Sequence, residues 1–374
     1  MNICFITYKY PGKHNLSDYA FVKQLVDAIA RQGHHCYVLS PLNILHYRKL
    51  SKSSEDYKEG DGCVTVIRPA YISLSTFHIK QFRPSAWFRN KALKRTFSML
   101  DVKPDVIYGH FWSSGYAGYK YAKKNNIPLF VASGESDIKK KFLFPSDLND
   151  FRDYVKGVIC VSSKNRDESV KLGLTTNDKC GVFPNGVNTK LFHYRDKIEC
   201  RKKLGLPQNA FIIAYVGWFI ERKGSQRVAA AVNQLEGVQS IFIGKGELTP
   251  KCEGILFKGA LPHEEVPSYL GAADCFVLPT LAEGCCNAVV EAMACGLPVI
   301  SSNLSFNWDV LDETNSILIN PNNVDEIAEA IRILRDDQEK RRKLSEGALK
   351  KVESLTIDQR AEAIMRFIQD RCSK

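Results

Sequence analysis

No uninterrupted apolar run in this sequence approaches the length of a membrane span, which excludes helical transmembrane classes. No C-x-x-C pair occurs either, so the common zinc and dithiol signatures are missing. The 12 cysteines fall mostly within apolar strand-like or helical patterns and read as reduced, buried thiols rather than a disulfide framework. Adjacent Cys285 and Cys286 stand apart, in a polar loop, where they fill space as small residues. No strict D-x-D triplet is present, and there is no short-period repeat or low-complexity tract. The opening run MNICFITYKYPG has neither a basic leader nor a small-residue cleavage site, so it reads as a first strand and the expected location is cytoplasmic.

What is present is a soluble globular composition, 44% hydrophobic and 25% charged, over 374 residues, which predicts two domains. The net charge of +11 is divided unevenly. Residues 1–190 hold 29 Lys and Arg against 16 Asp and Glu, and residues 191–374 hold 23 against 25. A basic surface invites a nucleic-acid reading, but no helix-turn-helix, finger or aromatic RNA-binding motif accompanies it.

Apolar runs alternate with helix-period segments: NICFIT, DYAFVKQLVDAIARQGH, CYVLS, CVTVIRP, DVIYGH, YAGYKYAKK, PLFVAS, GVICVSS, CGVFPNG. That βαβ alternation predicts a mostly parallel, doubly wound sheet. The pattern restarts at FIIAYVGW and runs through SIFIGKG, DCFVLPT, LPVISS and SILINP, with the stretch from Asn185 to Gln208 read as the connection. The expected division is 1–190, 191–355, and a C-terminal helix in 356–374 that packs back on the first domain. Helical segments are predicted to begin near Val324, Gln338 and Ile357.

Three segments carry chemistry. In LAEGCCNAVVEAMACGLPVI, Glu283 and Glu291 bracket a small polar loop and a helix start. Asn287 is the expected N-cap, which would leave the amides of Cys286 to Val289 free for an anion near the positive end of the helix dipole. In YVGWFIERKGSQRVAAAV, Gly217 ends a strand, and Arg222 and Lys223 precede a helix where they could bind a pyrophosphate. In DVIYGHFWSSGYAG, His110 follows a buried strand; a lone histidine is most often structural, but the strand-end position favours function.

Taken in order across nearly the whole chain, these segments resemble the retaining glycosyltransferases of family four, of GT-B architecture. The resemblance rests on the Pro11–Gly12 loop, ARQGHHCYVLSP, PDVIYGH, VSSKNRDESVKLG, FPNGVNTKLF, VGWFIERKG and above all the E-x7-E segment from Glu283 to Glu291. It implies two Rossmann-like domains facing a cleft, and a nucleotide diphosphate sugar as co-substrate with no cofactor or metal. It implies that Glu291 binds the ribose, and that Glu283 with the amides of Gly284, Cys285, Cys286 and Asn287 holds the donor sugar. Lys223 would neutralise the diphosphate, and His110 would contact the sugar from the other domain. Trp218 stands where the family usually has an arginine, which leaves Arg222 to supply that charge from another turn of the loop. On the acceptor side the candidates are Gly12, Lys13 and His14 in YPGKHNLSD, and Glu135 in SGESD.

The expected activity is hexosyl transfer to a surface-glycan or lipid-linked acceptor. The alternatives are a nucleotide-sugar epimerase of the same fold and a non-catalytic nucleotide-sugar-binding protein. Residues 83–95, RPSAWFRNKALKR, open a helical segment that from Pro84 on places Phe88, Ala92, Leu93, Phe97 and Leu100 on one face and Lys91, Lys94 and Arg95 opposite. A crossover helix is the favoured reading, with contact of Arg89, Lys91, Lys94 and Arg95 to an anionic inner membrane face as the alternative.

Overall fold

The computed structural model describes residues 1–12, 19–44, 54–72, 84–97, 100–140, 143 and 145–373. The chain forms two compact units, Met1–Phe183 with Arg360–Lys374, and Pro184–Gln359. The sheet strands are, in chain order, β1 (Asn2–Ile6), β2 (His35–Leu39), β3 (Leu42–Asn43), β4 (Ser54–Glu59), β5 (Gly62–Ile67), β6 (Ala70–Tyr71), β7 (Val106–His110), β8 (Leu129–Ser133), β9 (Val155–Cys160) and β10 (Cys180–Val182) in the first unit. Those of the second are β11 (Phe211–Val216), β12 (Val238–Ile243), β13 (Ile255–Gly259), β14 (Cys275–Leu278), β15 (Val299–Ser302) and β16 (Ser316–Ile319).

In the first unit eight strands run in the order β10-β9-β8-β7-β1-β2-β5-β4, while β3 and β6 pair apart. VIYGH in β7 and LFVAS in β8 are buried along their whole length, as expected of strands covered on both faces. The helices are α1 (Ala20–Ala30), α2 (Pro84–Phe97), α3 (Trp112–Lys124), α4 (Leu148–Tyr154) and α5 (Ser163–Lys171). Helix α1 buries Val22, Leu25, Val26 and Ile29, the spacing of one helical face.

Among the described residues only β4 breaks the parallel pattern, pairing antiparallel with β5 at the sheet edge. Its sequence, SEDYKE, has no apolar run and alternates exposed with half-buried positions, which is why the sequence gives no strand signal there. Helix α2 buries Ala92, Leu93 and Phe97 and exposes Lys91, Lys94 and Arg95, and Phe97 stacks on Tyr121 at 4.0 Å. Arg89 departs from the expected lipid-facing set, since its guanidinium lies over the Tyr8 ring at 3.6 Å.

The second unit is a six-stranded, all-parallel sheet in the order β13-β12-β11-β14-β15-β16. Its helices are α6 (Lys197–Leu204), α7 (Ser225–Val232), α8 (Val266–Gly271), α9 (Asn287–Ala294), α10 (Val324–Asp336) and α11 (Gln338–Val352). The stretch 185–208 is not a bare connection. It contains α6 and is pinned by buried Arg201, whose guanidinium bonds Asp274 at 2.7 Å and the carbonyls of Ala272, Gln208 and Ala210. β13 also lies in what the sequence reads as loop, because this edge strand is only half-buried.

Helix α12 (Ile357–Cys372) starts in the second unit, where Val187 and the segment Leu355–Ile357 exchange backbone hydrogen bonds. From Arg360 on it belongs to the first unit. There Phe367 packs against Phe130 and Phe183 at 6.3 and 5.3 Å, in space left by glycine. A Cβ at Gly181 would stand 2.4 Å from the Phe183 ring and 2.9 Å from that of Phe367.

Each sheet reverses its winding at one point: between β7 and β1 in the first unit, and between β11 and β14 in the second. Crevices beyond the strand carboxyl ends at such points are where open α/β sheets bind ligands. His110 ends β7, and the Pro11–Gly12 loop follows β1. The 217–224 and 279–287 segments follow β11 and β14.

Candidate active site

In the second unit, β11 leads through Gly217 and Trp218 to a single 3-10 turn at Glu221–Lys223, then to Gly224 in the left-handed region at φ +79°. A Cβ at Gly224 would meet the Pro279 carbonyl at 2.8 Å, so glycine lets the two strand ends close on each other. Leu281 N–H donates to the Arg222 carbonyl at 2.8 Å across that approach.

The result is a convergence on one oxygen. Glu283 Oε1 accepts from Arg222 Nη1 at 2.6 Å, Lys223 Nζ at 2.8 Å and Thr280 Oγ1 at 2.8 Å. The side chains of Lys223 and Glu283 are 12% and 13% exposed, against 37% for Arg222, so the lysine is the more enclosed cation. Burial works against the Lys223 ammonium, but neighbouring Cys286 and Glu283 more than offset it and the net shift is upward. Burial also raises the Cys286 thiol, which stays protonated at neutral pH, so the opposing charge is that of Glu283.

Asn287 is the first residue of α9, and the cap is Cys286, without a side-chain cap bond. The expected Asn287 cap is corrected for a physical reason: Asn287 Oδ1 accepts from Asn185 Nδ2 at 2.6 Å, and Asn185 Nδ2 also reaches the Cys285 carbonyl at 2.9 Å. Glu291 lies beyond the first turn of α9, too far along for a strong dipole effect. Its Oε1 is 3.0 Å from His263 Nε2, and it is 15% exposed. Burial opposes charge on His263, and Glu291 and Glu264 raise its pKa overall.

In the first unit, His110 closes β7 and is 5% exposed. A Cβ at Gly109 would stand 2.3 Å from Gly115 Cα, so glycine on both sides brings the first turn of α3 onto the strand end. The imidazole lies among the rings of Phe111, Phe21 and Tyr19, at 4.5, 5.5 and 6.3 Å. Neither ring nitrogen has a hydrogen-bond partner among the described residues. Burial, helped by Arg360, lowers its pKa to about 3, so the ring is neutral.

Phe111 sits at φ +76°, and its strained turn is held from the next strand. Glu135 Oε1 accepts the Trp112 N–H at 2.9 Å and Oε2 the Gly134 N–H at 3.0 Å, while the Glu135 carbonyl accepts from Asn165 Nδ2 at 2.9 Å. Burial pushes the Glu135 carboxyl up to about 7 against those amide bonds. Beside the β1 loop, Arg68 Nη2 donates to the Pro11 carbonyl at 2.8 Å, beneath Gly12. Lys13 and His14 lie outside the described residues.

Thus Arg222, Lys223 and Glu283 converge; Cys285 and Asn287 are gathered around Asn185; Glu291 pairs with His263; and Gly12, His110 and Glu135 belong to the other unit. Sequence reasoning missed Thr280, Asn185 and His263. Thr280 had a signal, since it follows the β14 strand end, but Asn185 and His263 reach their partners from far along the chain.

The profile of the family described as Glycosyl transferases group 1 matches residues 196–351, and that of Glycosyltransferase Family 4 matches residues 20–191. TuaC of Bacillus subtilis, named for teichuronic acid biosynthesis, is 29% identical over 367 residues, covering 90% of each chain. The UDP-Gal:alpha-D-GlcNAc-diphosphoundecaprenol alpha-1,3-galactosyltransferase of Escherichia coli is 28% identical over 263 residues, 63% of this chain and 67% of that one. The sucrose-phosphate synthase structure from Thermosynechococcus elongatus superposes with a TM-score of 0.78 at 20% identity, over 99% of this chain and 98% of that one. Among the described residues no helix is long and apolar enough to cross a membrane. The chain belongs to the group 1, family-four glycosyltransferases, of GT-B fold.

Proposed function

We propose that the protein transfers a hexosyl group, with retention of anomeric configuration and without a metal, from a uridine diphosphate sugar to a glycan or lipid-linked acceptor. The observation that carries this reading is the triple contact on Glu283 Oε1: two cations and a hydroxyl are aimed at one carboxylate at the switch point of the second sheet. Those cations suit a diphosphate equally well. When a diphosphate takes Lys223 and Arg222, the Glu283 carboxylate is released to accept hydrogen bonds from sugar hydroxyls.

Departure of the sugar builds negative charge on the diphosphate and positive character on the ring. Lys223 and Arg222 stabilise the first, and the neutral His110 can contact the sugar without adding repulsion to the second. Glu291 accepts from the ribose hydroxyls, and the amides of Gly284 to Asn287 hold the donor sugar. Gly12, Lys13, His14 and Glu135 belong to the acceptor side. The uridine choice and the lipid-linked acceptor are drawn from the galactosyltransferase relative, whose name states both.

The test supplies UDP-galactose and UDP-glucose, with and without diphosphoundecaprenol-linked N-acetylglucosamine, and follows UDP release and product anomer. Acceptor-dependent UDP release with an α-linked product is expected. A changed nucleotide sugar formed without acceptor would make the chain an epimerase, and binding without turnover would make it a binder.

A peripheral place on an anionic inner membrane face is part of the same proposal, with exposed Trp87, 48% accessible, and Lys91, Lys94 and Arg95 of α2 as the contact.

A further inference from the structure

The residue that faces Glu291 is His263, and three separate segments fix it there. His263 stands on the connection from β13 to α8, and its Nε2 is 3.0 Å from Glu291 Oε1 on α9. Its ring packs on that of Phe192, with centroids 5.0 Å apart and planes inclined at 56°. Phe192 is 1% exposed and anchored in its own turn, its N–H donating to the Asn188 carbonyl at 2.9 Å. The imidazole therefore has a rigid wall on one side and a carboxylate on its edge.

A free glutamate side chain samples several rotamers, and ordering it on binding is unfavourable. The His263 contact occupies one acceptor position of Glu291 Oε1 and leaves the carboxylate with further lone pairs for hydroxyl donors. At 15% exposed, the Glu291 side chain is held but still reachable.

We propose that His263 is a positioning residue for the nucleotide: it pre-orders the Glu291 carboxylate so that its remaining lone pairs meet the two ribose hydroxyls. This rests on the reading of Glu291 as the ribose ligand. His263 need not touch the nucleotide, and its contribution appears in binding rather than in the bond-breaking step.

The experiment measures, by calorimetry, the affinity of the full chain and of its His263→Ala, His263→Gln and Glu291→Ala variants for UDP and for 2′,3′-dideoxy-UDP. Donor KM and kcat are measured alongside. Wild type should prefer UDP over the dideoxy analogue, and Glu291→Ala should abolish the preference. In His263→Ala the Kd for UDP should rise about tenfold, the size of one net hydrogen bond to a charged group. The Kd for the dideoxy analogue should stay within about twofold, as expected where no hydroxyl remains for Glu291 to bind. Donor KM should rise while kcat at saturation holds, and His263→Gln, which keeps an N–H donor, should recover part of the affinity.

Equal losses for both ligands would reduce His263 to a structural support and overturn the proposal, as would an unchanged Kd for UDP. A different result strikes the reading beneath it: if Glu291→Ala keeps the wild-type preference for ribose hydroxyls, Glu291 is not the ribose ligand, and the proposal falls with it.

Discussion

At the end of β7 a histidine stands among three aromatic rings with neither nitrogen bonded among the described residues, while at the end of β14 a carboxylate carries three donors on one oxygen. Both positions follow the carboxyl ends of strands beside a sheet reversal, and both are shielded from water. The difference lies in how each tolerates that shielding. A titratable base in an apolar shell gives up its proton, and His110 stays neutral. A charge in the same situation needs a counter-charge, and the second unit supplies two. One fold plan thus yields a neutral surface in one unit and an ionic one in the other.

The sharpest way to break that contrast is to remove the enclosed cation. Lys223→Ala should lower turnover about a hundredfold or more, the usual effect of deleting one preorganised donor to developing charge. Arg222→Ala, removing the more exposed partner, should cost less. UDP-release assays decide this, and turnover within a few-fold of wild type in the double variant would exclude the cations from the reaction.

Next in size is Glu283→Ala. Turnover with the complete donor should drop by at least tenfold, since hydrogen bonds to a charged partner are lost. Affinity for free UDP should instead tighten by a few-fold, because the carboxylate no longer competes for Lys223 and Arg222. Calorimetry that shows weaker UDP binding would mean that Glu283 supports the phosphate site instead of competing with it.

The neutral side of the contrast is testable through pH. His110, with its pKa lowered to about 3, favours the folded state while neutral; that contribution is present above its unfolded value near 6.5 and is lost as pH falls below it. Glu135, raised to about 7, does the reverse: its protonated form suits the fold, and stability is lost as pH climbs from about 4.5 to 7. The two slopes oppose each other in wild type. Glu135→Gln removes the second, so its melting temperature relative to wild type should improve from pH 5 to about pH 7 and level off by pH 7.5. A constant offset over that window would show that Glu135 is already ionised at pH 5.

The smallest effect is expected at the surface of α2. Replacing Lys91, Lys94 and Arg95 by Gln should weaken binding to phosphatidylglycerol vesicles at low salt by about 1 kcal/mol per residue or less, and leave UDP affinity unchanged. Arg89 is left in place because it is stacked on Tyr8. Wild-type protein that ignores such vesicles would argue for an acceptor in solution.

The buried strands were legible because a strand covered on both faces must be a continuous apolar run, and the helices from Val324, Gln338 and Ile357 begin where their periodicity begins. Edge strands were not: SEDYKE and ILFKG are half-solvated, and nothing forces a pattern on them. The placement of Glu283 and Lys223 beside strand ends follows from local spacing and could be read directly. Chemistry set by distant partners could not. Asn287 is drawn from its capping role by Asn185, and Glu291 meets His263 across α8 and β14, and neither pairing leaves a local period in the sequence.

Helix α12 makes the order of synthesis matter. The second unit is one continuous stretch, Pro184–Gln359, whereas the first needs residues from both ends of the chain. The first unit therefore cannot close as its own stretch of chain is made: the Phe130 and Phe183 rings await Phe367, which is added only after the whole second unit. The basic unit is thus the last to be completed although it is the first to be made.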